Sequence, residues 1–494
     1  MKRNLYLSVQ EKEAALSRFL EAFPHIHPEK ERIAVVQSLG RITAEAVYAR
    51  YSSPSYNSCA MDGIAVISAH TKGASENNPL RLTYEKDYLD VDTGDMIMPP
   101  YDAVIMAEDL IETEDGEGYT IIAPTHPFAH VRAIGEDIVA KEMVLPTYHR
   151  IRAIDISVLI SAGITEIEVI KKPVVGIIPT GDEMIEYTEP LEDGKIIETN
   201  SWMFENLVTE NDGIGRRYPI LRDDLDLIKQ KLSEAVRECD MVIINAGSSA
   251  GRDDYTIHAI QELGEVYTHG VAIKPGKPVI LSKIQNKPVI GLPGYPVSSY
   301  LTFTEFVIPV MNMYCRPGGF VKQQKQVTAK LSKTLMSGLK YEEYVRVKLG
   351  IVENELVASP LERGAGASMS LVRADGFCVI PQDKEGIPAH ENIQVKLVKD
   401  MEQIRKTLVL IGSHDLILDV INDLMMEEGR DTCLSSTHVG SMAGLIALQK
   451  KAHLAPSHLL DEKDGSYNAA ITREMFRMRR WSLLKAFADV RDLL

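Results

Sequence analysis

Three stretches between Pro179 and Ser299 combine residue types suited to holding anions. The first, PTGDEM, sets Thr180 and Gly181 in a tight turn ahead of two carboxylates, Asp182 and Glu183. Hard oxygen donors in such a place could hold a hydrated Mg²⁺ against a phosphate, although a helix N-cap with acids in its first turn is an equal reading of this fragment alone. The second, NAGSSAGRDDYT, runs through Ala246, Gly247, Ser248, Ser249, Ala250 and Gly251 to Asp253 and Asp254 before a helical pattern. Small residues let backbone N–H groups approach an anion and the helix start adds partial positive charge, which suits a pyrophosphate-sized group; a turn kept small for close packing is the alternative. Neither a Walker loop nor a GxGxxG fingerprint is present. The third, KPGKP, holds Lys274 and Lys277 across a Pro-Gly turn that ends at Pro278, and is followed by GLPGYPVSS. Crowded lysines are costly unless an anion or a carboxylate lies between them. Pro296 at a helix start leaves the N–H and hydroxyl of Ser298 able to face an anion.

Ligands of an open parallel sheet bind outside the carboxyl ends of its strands, and the pattern around these stretches predicts such a sheet. From Pro173 to about Pro317, PVVGIIP, DMVIINAG and KPVIGLPG read as buried strands alternating with helices from about Asn200, from Tyr255 and through Phe306. Upstream, apolar residues at helical spacing from Val9 to about Gly40, broken by Pro24 and Pro28, predict two helices. GIAVI, PLRLTY, DAVIMAE, YTIIAP and EMVLP, between Tyr51 and Pro146, predict a small β module, and SAGITEIEVIKK predicts a helix end, a Gly163 cap and a strand. Downstream, QVTAKL, YVRVKLG, FCVIPQ and IQVKLV predict a second β module, and TLVLIGSHDLILDVINDLMMEEG the start of another α/β unit. The chain is therefore expected to be multidomain, α/β with β modules.

Composition narrows the partners. The net charge of −16 over 494 residues argues against a general nucleic-acid binder, so an anionic substrate must meet a local basic pocket. No run reaches the roughly 18 apolar residues that a membrane span requires, and the amino terminus lacks a signal-peptide pattern, so a cytoplasmic protein with no membrane partner is expected. The five cysteines, without a CxxC pair, suggest thiols in or near cores rather than a disulfide framework or a zinc site.

TGDE, the small-residue loop ending in DDYT, and KPGKP with GLPGYPVS, together with CAMDGIAV at Cys59–Val66, resemble the MoeA/gephyrin family of molybdopterin molybdenumtransferases over roughly residues 5–400. The resemblance implies insertion of molybdate into adenylylated molybdopterin, with Mg²⁺ and release of AMP. It implies a split N-terminal domain (1–50 and 147–172) with an inserted β domain (51–146), a MoaB-like three-layer α/β domain (173–318) and a β-barrel-like domain (319–402), in a homodimer that shares its active site. Further partners implied are an adenylyltransferase and the molybdoenzymes or their chaperones. Residue by residue, Asp62, Asp137, Glu183 and Asp254 match acidic site residues, with Glu183 and Asp254 at the Mg²⁺–pyrophosphate end. The pterin would lie against Thr180, Gly181, Asp182, Gly247, Ser248, Ser249, Gly251, Pro293 and Gly294, and molybdate against Lys274, Lys277, Pro278, Ser298, Arg346 and Ser370. A tetrahedral dianion needs such cationic forks and hydroxyls.

Several features depart from the family pattern, among them Asn245 and Ala246 in the small-residue loop and Cys59 beside Met61. Tyr295 stands where Asn is frequent, and could narrow the channel or stack on the pterin. Residues 403–494 resemble part of a periplasmic-binding-protein-like, LysR-effector-like domain, in which Ser435, Ser436, Thr437, Gly440 and Ser441 would form a cradle. Two other functions compete: a MoaB-like molybdopterin adenylyltransferase, against which the split N-terminal region and second β module weigh, and a non-catalytic oxyanion-responsive binder, against which the retained acids and lysines weigh.

Overall fold

Alternation of hydrophobic strands with amphipathic helices produces the expected parallel sheet. In the computed structural model, which describes residues 9–246, 255–316, 325–352, 355–413, 416–430, 432–438 and 444, the chain forms two units. One comprises 1–26, 173–312 and 319–494; the other comprises 27–172 with 313–318.

In the first unit the six-stranded sheet runs Ile214–Arg217, Val174–Pro179, Met241–Ala246, Lys287–Pro293, Ile280–Ile284, Glu265–His269. The first four strands are parallel, and the last two add an antiparallel edge. Strand order reverses at the Val174–Pro179 and Met241–Ala246 pair, so the crevice beyond Pro179 and Ala246 is the switch point where a ligand would sit. The helix Leu225–Glu238 shows why such segments fold. Asp224 caps it by accepting from the N–H groups of Asp226 and Leu227, and Ile228, Leu232, Ala235 and Val236 line the face it buries. That face joins Ile178, Val242, Ile244 and Val289 in one core, where each buried aliphatic side chain contributes roughly 1.5–3 kcal/mol.

The second β module closes on itself. Glu342–Val352 pairs with Glu355–Pro360, which pairs with Gln326–Leu331, then Asn392–Leu397, then Gly376–Ile380, and the last pairs back to Glu342–Val352. Leu331, Val345, Val347, Ala358, Ile380 and Val395 fill this five-stranded barrel. The short strand Ile273–Lys274, from the α/β region, adds to its edge. In the carboxyl-terminal extension, Thr407–Gly412 and Cys433–His438 are parallel neighbours connected through the helix Ile417–Glu427. Ser435, Ser436 and Thr437 therefore lie within a strand, whereas Gly440 and Ser441 lie outside the described residues.

In the other unit, GIAV, LRLT, AVIM and GYTI form strands as expected, and helix Ala153–Ser161 ends before Gly163, whose φ is +80°. The second of the two expected N-terminal helices is not there. Only Lys12–Glu21 is α-helical; Lys30–Ala34 is a strand paired antiparallel with Glu166–Ile170, and Val35–Gln37 is a single 3₁₀ turn. Ile33, Val35 and Val36 imitate a helical stripe, but tertiary pairing with a strand far along the chain overrides it. Met143–Leu145 pairs with Val47–Tyr48. Cys59, Cys239, Cys315 and Cys378 are buried. Among the described residues no helix is long and apolar enough to cross a membrane.

Candidate active site

The loops leaving the parallel strands build the site from the sheet upward. Thr180, 3 % exposed, donates its N–H to the carbonyl of Asn245 at 2.9 Å, and the Gly181 N–H donates to Leu221 at 3.0 Å. These bonds fix the TGDE turn to the neighbouring strand Met241–Ala246 and to the segment that follows Ile214–Arg217. A Cβ at Gly181 would sit 2.8 Å from Cγ of Met184. Asp182 and Glu183 are exposed at the lip. The Asp182 carbonyl accepts from Lys195 at 2.8 Å, and its carboxylate accepts the Asp223 N–H at 3.3 Å. Gly247, Ser248, Ser249, Gly251 and Asp254 lie outside the described residues.

Beneath the lip is a buried amide junction. The Asn245 side chain donates to the carbonyls of Pro293 at 2.8 Å and Leu292 at 3.3 Å. Asn200 donates to Asn245 Oδ1 at 3.0 Å and to the carbonyl of Gly294 at 2.7 Å, and the Ser299 hydroxyl donates to the Pro293 carbonyl. Pro293 and Gly294 thus present backbone that is held from below. Buried amides and carbonyls at strand ends need such partners, because an unmet polar group in this position costs free energy.

Next to it the third stretch meets the barrel. Gly276 has φ +115°, and a Cβ there would lie 2.7 Å from Cγ2 of Thr302, so the turn between the lysines requires glycine. Lys274 Nζ is 3.3 Å from Glu343 Oε1, a carboxylate 3 % exposed that also receives Arg363 at 3.3 Å and the Ser337 hydroxyl at 2.7 Å. Lys277 lies over the Tyr341 ring, 5.7 Å from its centroid. A carboxylate thus meets Lys274, while Lys277 meets an aromatic face. Pro278 is half-buried, and Ser298 is 5 % exposed in the helix Pro296–Thr302. The Val297 N–H donates to Ala365 at 3.1 Å, and Gly366 packs against the ring of Tyr295, which is 67 % exposed.

Arg346 reaches the same loop. Its Nη2 donates to the carbonyls of Glu362 and, at 3.2 Å, Gly364, while its Nε and Nη1 are buried without a hydrogen-bond partner. Burial pushes its pKa down. Two idle donors on a guanidinium 2 % exposed are a donor set of the kind that oxyanions accept from. Ser370 is buried, its hydroxyl bonded to the Ala367 carbonyl.

Asp62 and Asp137 belong to the second unit. The strands Ser58–Cys59 and Val131–Arg132 pair antiparallel, so the two acids leave this ladder at opposite ends. Thr93 donates its N–H at 2.7 Å and its hydroxyl at 2.8 Å to Asp62, holding the carboxyl below its usual range. A Cβ at Gly63 would fall on the Ile105 carbonyl oxygen, which explains the glycine of MDG. Asp137 is exposed and donates its N–H to Ser53 at 3.0 Å; Arg132 pairs with Glu136 at 3.4 Å.

Sequence reasoning did not find Asn200, Asp223 or Glu343. Asp223 meets Asp182 through its backbone N–H, a contact that no side-chain type announces. Asn200 acts through Asn245, 45 positions away, and Glu343 through Lys274 besides its nearer partners Ser337 and Arg363, and neither left a signal. As for Mg²⁺, no group of three or more His, Cys, Asp or Glu converges as a cage among the described residues. Glu183 and Asp182 nevertheless expose carboxylate oxygens at the lip, the donor type Mg²⁺ takes beside substrate phosphates.

The sheet is a doubly wound one with exposed carboxylates at its switch point, and a lysine-bearing turn of the same α/β region lies against a five-stranded barrel. Residues 7–163 match the MoeA N-terminal region (domain I and II), 176–313 a probable molybdopterin binding domain, 328–398 the MoeA C-terminal region (domain IV) and 422–494 a PBP superfamily domain. A molybdopterin biosynthesis protein of Methanocaldococcus jannaschii is 34% identical over 385 residues, covering 75% of this chain and 92% of its own. The molybdopterin molybdenumtransferase of Haemophilus influenzae is 28% identical over 404 residues, covering 77% and 97%. The crystal structure of a molybdopterin biosynthesis MoeA protein from Pyrococcus horikoshii superposes with a TM-score of 0.67 at 31% identity, over 80% of this chain and 100% of that one. The chain belongs to the MoeA family.

Proposed function

We propose that this protein is a molybdopterin molybdenumtransferase, inserting molybdate into adenylylated molybdopterin with release of AMP. The observation that carries the reading is Arg346, a buried guanidinium with two unpartnered donors on the loop that packs against Tyr295 and Val297. Lys274, Lys277, Pro278, Ser298, Arg346 and Ser370 hold the molybdate substrate as a dianion. Thr180, Gly181, Asp182, Pro293 and Gly294 seat the pterin at the switch point, with Gly247, Ser248, Ser249 and Gly251 on its pyrophosphate. Glu183 and Asp254 would hold Mg²⁺, which when bound supplies charge neutralisation at the phosphates. Asp62 and Asp137 are acidic site residues by resemblance to the family. The protein works in the cytoplasm as a homodimer, with the domains divided at about residues 50, 146, 172, 318 and 402. The adenylyltransferase alternative is disfavoured, since matches to both MoeA terminal regions flank the pterin-binding domain.

The deciding experiment loads purified protein with adenylylated molybdopterin and Mg²⁺ and measures AMP with and without micromolar molybdate, with tungstate in parallel. Molybdate-dependent AMP release is the expected result. Binding of the pterin with no AMP from either oxyanion would remove the proposal and favour the binding-protein reading.

A further inference from the structure

Glu343 is the residue whose placement the proposed reaction leaves unexplained. Ile273–Lys274 lies parallel to the barrel strand Glu342–Val352, with Lys274 directly opposite Glu343. Residues paired in this way share a face of the sheet. The carboxylate is 3 % exposed, an expensive place for a charge, and is compensated by Lys274, Arg363 and Ser337. The compensation is uneven. Both cations address the same oxygen, Oε1, at 3.3 Å each, longer than the roughly 2.7–2.9 Å of a strong charge-assisted bond. The Ser337 hydroxyl holds Oε2 at 2.7 Å. Lys274 is 58 % exposed and can swing away; Arg363 and Ser337 would still satisfy the carboxylate it leaves.

We propose that Glu343 is a positioning residue that acts through Lys274 as an internal competitor anion: it occupies the lysine while the pocket is empty and sets the affinity at which an external oxyanion can take it. This rests on the assignment of Lys274 to the oxyanion pocket. Arg363 and Ser337 are part of the device, because they anchor the carboxylate during the exchange.

The test is calorimetric titration of the full-length protein with sodium molybdate and with sodium tungstate, comparing wild type, Glu343→Gln, Lys274→Met and the double variant. Glu343→Gln keeps the side-chain shape and removes the competing charge, so Kd should fall by about tenfold. In the Lys274→Met background the same change should shift Kd by less than about threefold, since the lysine that transmits it is gone. Ser337→Ala should move Kd the other way, because a carboxylate freed from its hydroxyl leans harder on Lys274; general loosening of the fold would not give opposite signs. Oxyanion binding by wild type with Kd unchanged or raised in Glu343→Gln, at an unaltered melting temperature, overturns this inference and leaves the proposed function standing. Binding by Glu343→Gln but not by wild type supports it. Binding by neither removes the inference together with the reading it rests on.

Discussion

Asn200 and Asn245 bridge the carboxyl ends of two parallel strands: Asn200 donates to Asn245 Oδ1 at 3.0 Å, and Asn245 passes the contact on to the Pro293 carbonyl at 2.8 Å. The height of the Pro293–Gly294 backbone relative to the TGDE turn is set by this pair. Replacing Asn245 with Ala removes one acceptor of the Asn200 amide and one donor to the Pro293 carbonyl; the amide keeps the Gly294 carbonyl and the Pro293 carbonyl keeps the Ser299 hydroxyl. A loss of about 1–3 kcal/mol is expected in urea unfolding of the α/β region, with a raised KM for the adenylylated pterin.

Arg346 should behave oppositely in stability and function. Arg346→Met removes a buried charge with two unmet donors, so the melting temperature should hold or rise. Molybdate-dependent AMP release should fall by roughly 100-fold, the loss expected of a lone electrostatic donor. A variant that melts early and still turns over would contradict both parts.

The Asp62 carboxyl is held down by the N–H and hydroxyl of Thr93. A depressed pKa contributes stability above the unfolded carboxylate value near 3.9, and loses it as pH falls through the folded value. Asp62 therefore stays ionised across the working range. Thr93→Val removes the hydroxyl donor, so the acid limb of AMP release should move to higher pH while the alkaline limb stays put, as read from a pH–rate profile.

Gly63→Ala drives a methyl group into the Ile105 carbonyl oxygen, where Gly63–Val66 pairs with Ala103–Met106. The expected cost is about 3 kcal/mol, measured by thermal unfolding, together with loss of the Asp62 contacts to Thr93.

Lys12 is buried against Glu305 at 3.2 Å, Glu342 at 2.8 Å and the Tyr344 hydroxyl at 2.8 Å. Burial opposes its charge, but Glu305 and Glu342 outweigh burial and hold the ammonium above its usual range. A raised lysine gives stability that is complete below the unfolded pKa and lost only as pH rises through the folded one. Its contribution should thus be flat from pH 6 to 9, and Lys12→Met should cost about 3 kcal/mol throughout that interval, because two half-buried carboxylates lose this cation and Glu305 keeps another, Lys396 at 3.6 Å.

Much of the scaffold was legible because local pattern and tertiary packing agree: VVGIIP, MVIINA and the barrel strands are apolar runs buried where a sheet needs them. The Lys30–Ala34 strand was misread because its apolar spacing suits either a helix or a strand, and only the distant Glu166–Ile170 partner decides. The hairpin Ile280–Ile284 with Lys287–Pro293 was half seen. Its turn is Gln285–Asn286, both at positive φ, rather than the Asn-Gly signature that announces such turns. The TGDE and KPGKP stretches were visible as motifs, since unusual residue types cluster within a few positions. Asn200 and Glu343 are single ordinary residues whose importance comes from neighbours brought in by the fold.

The seating of Ile273–Lys274 against the barrel has an evolutionary corollary. The pair is encoded in the α/β portion of the chain yet lies as an edge strand on the barrel, in register with Glu342 and Glu343. A recombination event that exchanged the barrel alone would import an edge without its matching dipeptide and a lysine without its opposing acid. The side-chain contact between the two segments is Lys274 with Glu343, so charge at positions 274 and 343 is expected to vary in concert.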